Sequence, residues 1–596
     1  MNPQPARWQA AYRLEDLPPK AMKPVKIGGH AIVLIHADDG TIHALDNRCP
    51  HEGYAMAQGE LDGCVLTCAW HNWKFDIRTG ECRLGGEDIR RFPVRVDDGN
   101  IEVDLKEPDP KESWPKWLQS LEAGIREPDL GRAVRDAVRL LESGYPPWQL
   151  LAEIAAYDAR HAEYGTSHAL PVAADVGRWM ERFEGSEKLL AIAPALEMCI
   201  ENNQRLSPRK QPTSKPDGDL GQLLTAVESQ DEALAEALLL GAFESGMPRH
   251  EVEHWLYRAC AEHFTDFGHE LIYLTKAKEL LDHVDDSYAQ RIYPALLFSI
   301  VLGTREDTLP YMRRYFEPLD GVDWASFEEQ PNAASHEALA RVTRVALDGE
   351  TAEVSLTLLE ALRAGIPRQR LADALVDAAA ERLLRFDEGL EYRDDVAENW
   401  LFATHRLTFA SAVREAMDRY DSPQALRFLF QSAAFTHSGR GMDADPEDPE
   451  RAQAHKLSSE LFTRFKRDPR TALISGFGNP EAGRSRDMGR SPEILTAAAQ
   501  QILEAGGSIH DIHHLAQDYC LSEQFVRPIF LAHAIKTWNV GWDESHRLGP
   551  ASSRPTPLLA ALRFLASPLR ERRTAGVVKT SIAWVRDGKI PRKLTQ

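Results

Sequence analysis

A chain of 596 residues with a net charge of −21 is too long for one hydrophobic core and needs at least two domains. The acidic balance excludes a nucleic-acid partner, and no long basic segment studded with aromatics offsets it. Met1 to Lys20 lacks a signal-type apolar stretch, and no run approaches the roughly eighteen apolar residues of a membrane span, so a cytoplasmic protein with no membrane partner is expected.

From Val25 to about Leu105 the chain reads as short alternating segments, among them His30-Ala-Ile-Val-Leu-Ile35 and Ile101-Glu-Val-Asp-Leu105. Asp38-Asp-Gly40 and Asp97-Asp-Gly-Asn100 are hairpin turn signals, because Gly and Asn accept the positive φ such turns demand. A small antiparallel β domain over 1–106 is predicted. Within it stand Cys49-Pro-His51 and Cys68-Ala-Trp-His71, with sixteen residues between them. Two thiolates and two imidazoles can hold a metal centre at the ends of two hairpins. Tetrahedral zinc is the chemical competitor, although zinc sites more often pair Cys with Cys and His with His.

The stretch Cys68-Ala-Trp-His-Asn-Trp-Lys-Phe-Asp-Ile-Arg-Thr-Gly80 resembles the second cluster loop and following strand of Rieske-type ferredoxins and aromatic-ring oxygenases, over roughly the first hundred residues. That resemblance implies a 2Fe-2S cluster with one iron on Cys49 and Cys68 and the other on His51 and His71. Respiratory Rieske proteins carry a disulfide between the two loops; Tyr54 and Trp70 occupy the corresponding positions here. The resemblance therefore implies the ferredoxin and oxygenase type, with a potential toward the lower end of roughly −150 to +300 mV. Of seven cysteines, the remaining five, Cys64, Cys82, Cys199, Cys260 and Cys520, form no disulfide pattern.

Residues 107–115, Glu-Pro-Asp-Pro-Lys-Glu-Ser-Trp-Pro, read as a linker. After Lys116 the apolar period changes to three and four, and an all-helical domain is predicted over 116–596. The fold class is thus multidomain α+β. Polar interruptions at Gln204 to Gly218, Ser438 to His455 and Ser475 to Pro492 suggest four pseudo-repeats, 116–218, 219–330, 331–474 and 475–596. Each carries a related opening, Leu141-Glu-Ser-Gly144, Phe243-Glu-Ser-Gly246, Leu362-Arg-Ala-Gly365 and Leu503-Glu-Ala-Gly506, and each later enters an apolar helix through a histidine: His168, His269, His405 and His533.

Equivalent histidines in a closed or curved array could converge on one transition metal, non-haem iron among the candidates; helix capping or packing explains the repetition equally well. His161 would share a face with His168 if one helix ran through Gly165. His263, His437, His510, His513 and His514 are weaker candidates. His250-Glu-Val-Glu-His254 matches the zinc-protease pattern H-E-x-x-H, but in a chain with 21 histidines chance supplies such a match readily.

Asp158-Ala-Arg-His161 imitates half of the iron motif of Rieske oxygenase catalytic domains, yet the next histidine is His168, so the dihydroxylating assignment does not carry over. Phe267-Gly-His-Glu-Leu-Ile-Tyr-Leu-Thr-Lys-Ala-Lys-Glu279 and Phe530-Leu-Ala-His533 resemble questin oxidase-like proteins, which implies oxidative chemistry on a small, aromatic or quinone-like organic substrate. Gly476-Phe-Gly-Asn-Pro-Glu-Ala-Gly483 lacks the spacing of a dinucleotide turn, so a separate reductase or ferredoxin must donate electrons. The sequence thus favours a Rieske-dependent oxygenase. The competing reading is an electron-transfer protein whose helical repeats dock a partner and hold no second metal. Either is compatible with an oligomer.

Overall fold

The computed structural model describes residues 8–106, 109–203, 207–331, 333–393, 395–397, 399–445, 509–522, 527–548, 555–567 and 574–589. The chain divides into two compact units, Met1–Pro146 and Pro147–Gln596.

The first unit holds β1 (Trp8–Arg13), β2 (Met22–Ile27), β3 (His30–His36), β4 (Ile42–Asp46), β5 (Glu60–Asp62), β6 (Val65–Thr67), β7 (Lys74–Asp76), β8 (Cys82–Leu84), β9 (Arg91–Phe92), β10 (Val94–Asp97) and β11 (Asn100–Asp104). They form three antiparallel sheets, ordered β1-β11-β10, β2-β3-β4-β9 and β5-β6-β7-β8. Both predicted hairpin turns are present, β3 to β4 and β10 to β11, and Asp98 (φ 44°) and Gly99 (φ 70°) give the second its mirror-type geometry. The continuous apolar run of β3 is explained by burial on both faces. Ile32 and Leu34 join one core with Phe92, Ile101 and Val103; Val33 and Ile35 join the other with Met56, Leu66 and Phe75. Each such buried side chain contributes about 1.5–3 kcal/mol. The second core also contains Cys49 and Cys68, so both cysteine loops are anchored in packed interior.

The segment 107–115 departs from the linker expectation. Helix α1 (Pro110–Arg126) begins inside it, capped by the Asp109 carboxylate on the Lys111 amide at 3.0 Å, with Pro115 inside the helix. Proline at the first helical position loses no intrahelical bond, so Pro110 starts the helix that the sequence reading took it to oppose. With α2 (Leu130–Glu142), α1 belongs to the first compact unit, whose limit is Pro146 rather than Lys106. The buried Glu87 carboxylate explains the attachment: it accepts from Arg135 at 2.5 Å and pairs with Arg139 at 2.6 Å, both on α2.

The second unit is helical: α3 (Pro147–His161), α4 (Ala169–Trp179), α5 (Leu189–Asn202), α6 (Leu220–Glu228), α7 (Glu232–Glu244), α8 (Arg249–Cys260), α9 (His269–Leu281) and α10 (Ala289–Leu302) come first. Then follow α11 (Pro310–Phe316), α12 (His336–Asp348), α13 (Thr351–Arg363), α14 (Arg368–Arg385), α15 (Trp400–Arg419) and α16 (Leu426–Ser438). Beyond them lie α17 (Ile509–Leu521), α18 (Pro528–Leu548), α19 (Thr556–Ala566) and α20 (Thr574–Asp587). Among the described residues no helix is long and apolar enough to cross a membrane.

Three of the four related openings are helix terminators of one kind. Gly144, Gly246 and Gly365 have φ of 85°, 79° and 81°. In each case the following amide reaches back five residues, Tyr145 to Leu140, Met247 to Ala242 and Ile366 to Ala361. This is the Schellman bond that only a left-handed residue permits, which is why glycine recurs. Leu503–Gly506, the expected loop Ser475 to Pro492 and the stretch Gly476–Gly483 lie outside the described residues.

The helices that carry the four histidines close on themselves. Helix α4 packs on α9, α9 on α15, α15 on α18, and α18 back on α4. An open stack would leave first and last apart; here they meet around a shared interior.

Candidate redox centre and candidate metal centre

In the first unit the two cysteine loops sit beside β4 and β7. Backbone bonds from Cys49 to Tyr54 (2.8 Å), from Gly53 to Cys49 (2.7 Å) and from Cys68 to Trp73 (2.8 Å) hold them as tight turns. The cysteines are buried, while His71 is exposed and His51 half-buried. Thiols therefore line the inner side and imidazoles the outer side. The Nδ1 atoms of His51 and His71 face each other at 3.1 Å, near the roughly 3.3 Å edge of a tetrahedron with metal–nitrogen bonds of about 2.0–2.1 Å. His51 stacks on Trp73 at 4.7 Å, and Tyr54 stacks on the exposed Trp70 at 4.4 Å. Burial pushes the Cys49 thiol up to about 11, so metal binding there must displace a proton.

Two inward thiols opposite two outward imidazoles match a cluster with chemically distinct irons. The comparisons agree: residues 7–93 match the Rieske [2Fe-2S] domain model. The ferredoxin component of the naphthalene 1,2-dioxygenase/salicylate 5-hydroxylase systems of Ralstonia sp. is 36% identical over 101 residues, covering 17% of this chain and 94% of that protein.

Through this domain the chain belongs to the Rieske 2Fe-2S family.

The 4beta-methylsterol monooxygenase of Methylococcus capsulatus is 34% identical over 96 residues, covering 14% of this chain and only 26% of that relative. The solved Sphingomonas yanoikuyae B1 ferredoxin is 24% identical and covers 16% of this chain and 98% of its own, with a TM-score of 0.16. The Rieske domain implies a 2Fe-2S cluster and an electron-transfer role, and Cys49, His51, Cys68 and His71 are the residues that could hold it.

The second site lies wholly in the helical unit. His168 caps α4, His269 opens α9, and His405 and His533 each fall in the second turn of α15 and α18. Their rings form a cycle: 168 to 269 at 5.1 Å between centroids, 269 to 405 at 4.4 Å, 405 to 533 at 4.8 Å and 533 to 168 at 4.9 Å, with 168 to 405 across it at 6.3 Å. His168, His405 and His533 offer ligand nitrogens all within 4.8 Å of one another. The Nε2 of His405 lies 2.7 Å from that of His269 and 3.3 Å from that of His533.

Hydrogen bonding decides which nitrogens are free. His405 Nδ1–H donates to the Leu401 carbonyl at 2.6 Å and His533 Nδ1–H to that of Ile529 at 2.8 Å. A neutral imidazole has one N–H, so the facing Nε2 atoms of these two rings carry lone pairs and repel unless a cation sits between them. His168 Nδ1 bonds the Tyr273 hydroxyl at 3.0 Å, while its Nε2 is buried with no hydrogen-bond partner among the described residues. The environment keeps the rings neutral. Burial, then Lys536, lowers His269 to about 3 and holds His168 and His533 far below the usual histidine range; burial, then His269, does the same to His405. Neutral, oriented imidazoles with converging lone pairs suit iron, copper, nickel or zinc.

Two local devices present these histidines. The buried Asp158 carboxylate accepts from the Ser167 amide (2.9 Å), the Ser167 hydroxyl (2.6 Å) and Asn203 (2.8 Å), fixing the turn before His168. Ahead of His269, Asp266, Phe267 and Gly268 all have positive φ, 37°, 57° and 83°, and a Cβ on Gly268 would fall 2.1 Å from the Phe409 ring.

Other candidates do not enter this cycle. Helix α3 ends at His161 and Gly165 turns at φ 94°, so His161 and His168 share no helix face; His161 stacks on Tyr157 at 3.9 Å and bonds its carbonyl. His250, Glu251 and His254 are all exposed, so H-E-x-x-H is a surface helix start. His263 pairs with Asp307 and Glu228, His437 bonds Tyr315 and the Gly349 carbonyl, and His513 stacks on Trp538 and Trp542. His514 bonds Gln517, and the His510 side chain lies outside the described residues. Sequence reasoning missed Lys536, buried one turn beyond His533; the signal was a lone charge inside the apolar stretch Ala532-His-Ala-Ile-Lys536.

Proposed function

We propose that this protein is a Rieske-dependent oxidoreductase, an oxygenase, in which the 2Fe-2S cluster passes single electrons to a transition metal held by His168, His269, His405 and His533, with non-haem iron the ion best suited. The observation that carries the reading is the closed cycle of four imidazole rings, in which His405 Nε2 lies against the Nε2 atoms of His269 and His533 while the Nδ1 atoms of His168, His405 and His533 are engaged elsewhere. A redox-active ion in such a set supplies one-electron chemistry with dioxygen and an organic substrate. The chain's own groups prepare that site. Tyr273 and the Leu401 and Ile529 carbonyls orient the rings, and the Phe267 and Phe402 rings, 4.9 Å apart beside His269 and His405, exclude water.

By its name the Ralstonia relative is the ferredoxin component of dioxygenase and hydroxylase systems; on that analogy a separate reductase or ferredoxin delivers electrons to the cluster. The substrate class suggested by the sequence is a small aromatic or quinone-like compound.

Metal analysis of anaerobically purified protein tests the reading. The cluster accounts for about two irons per chain, and a further stoichiometric ion is expected. H269A and H405A should each remove it and leave the cluster absorption intact. A fully assembled cluster with only its own two irons would instead support an electron-transfer protein with a docking module.

A further inference from the structure

Lys536 lies on α18 three residues after His533, so the two side chains share a helix face one turn apart. It is 2% exposed, and its Nζ has no hydrogen-bond partner among the described residues. Apart from burial, it is the leading influence on His168, His269 and His533, and it also acts on His405. Burial depresses its own basicity to about 7, against the pull of Asp175. A buried amine group without a hydrogen-bond partner among the described residues therefore shares the helix face of His533.

The acids nearby are bound to other groups, although Asp175 Oδ2 is buried without a hydrogen-bond partner among the described residues. Asp175 on α4 lies 2.7 Å from Lys276 Nζ and 3.7 Å from Arg178. Asp158 holds the turn before His168, and Glu270 accepts from the Thr265 hydroxyl at 2.7 Å. The four ligands are neutral, so none of them offsets the charge of a bound divalent ion. An ion plus a protonated Lys536 would leave at least three positive charges in a buried space, a costly state unless an anion enters.

Resting on the four-histidine reading above, we infer that the site takes an oxyanionic organic substrate, a carboxylate, phenolate or enolate, and that Lys536 is its docking cation. A flexible ammonium with three donors can follow an oxygen that also approaches the ion. Lys536 is a positioning residue in this scheme: it draws the oxyanion in and gives its charge a partner.

Azide binding to the metal-loaded protein, followed by its charge-transfer absorption, tests this without turnover. K536M should keep the second metal at wild-type stoichiometry and bind azide at least tenfold more weakly, whereas K536R should stay within about threefold of wild type. Unchanged azide affinity in K536M at full metal content would overturn the docking role and leave the four-histidine reading standing. Loss of the metal in both K536M and K536Q would make Lys536 a structural support and also overturn it. Wild-type protein without any ion beyond the cluster would sink the four-histidine reading and this one together.

Discussion

The two sites use the same kind of side chain in opposite ways. At the Rieske centre the four candidate ligands lie between Cys49 and His71, on two turns closed by local backbone bonds, with His51 half-buried and His71 exposed. At the helical site the candidate ligands span His168 to His533, one from each of four helices, with His405 and His533 buried and His168 and His269 half-buried. A centre built from neighbouring turns tolerates exposure because its geometry is set by short-range bonds. One built from distant helices depends on the packing of the whole ring, and any loosening of a helix moves a ligand.

That contrast can be broken by mutation. The largest effect is expected from C68S, which should abolish the visible absorption and the Rieske electron-paramagnetic signal while leaving the far-ultraviolet helical signal; a collapse of helix content would show that the two units do not fold independently. Next, Y273F removes the hydroxyl that orients His168. Loss of such an outer partner lowers metal affinity by about 10–100-fold, measurable by chelator competition, with the cluster spectrum unchanged.

Smaller again, G268A forces a side chain into a left-handed position against Phe409. Strain and overpacking together should destabilise the helical unit by roughly 2–4 kcal/mol in denaturant unfolding and displace His269. The smallest effect concerns the Rieske domain. Hydrogen bonds from Arg78, and then Arg83, hold the buried Asp76 carboxyl well below its usual range. A depressed folded pKa gives stability that is complete above the unfolded value of about 3.9 and is lost as pH falls through the folded one. Wild type should therefore lose cluster-domain stability on acidification below about pH 4, and D76N should lose that acid dependence together with about 1–3 kcal/mol at neutral pH.

Much of this architecture was legible in the chain itself. Alternation with Asp-Gly turns identified the β domain, the change of period announced the helices, and the candidate cluster residues were readable because two of them come from each short loop. Repetition brought His168, His269, His405 and His533 to notice, since each enters an apolar helix at a related place. The linker reading failed at Pro110, where a helix start and a break look alike in sequence.

Local chain geometry thus determined the turns, the helix ends and the pairing of candidate cluster residues on two short loops, because those depend on residues a few positions apart. Only the tertiary structure decided that α18 returns to α4, that His161 is left aside, and that Lys536 is buried on the His533 face without a hydrogen-bond partner among the described residues. Helix-to-helix closure is set by the fit of large apolar surfaces far apart along the chain, and periodicity records which face is apolar but not which neighbour it meets.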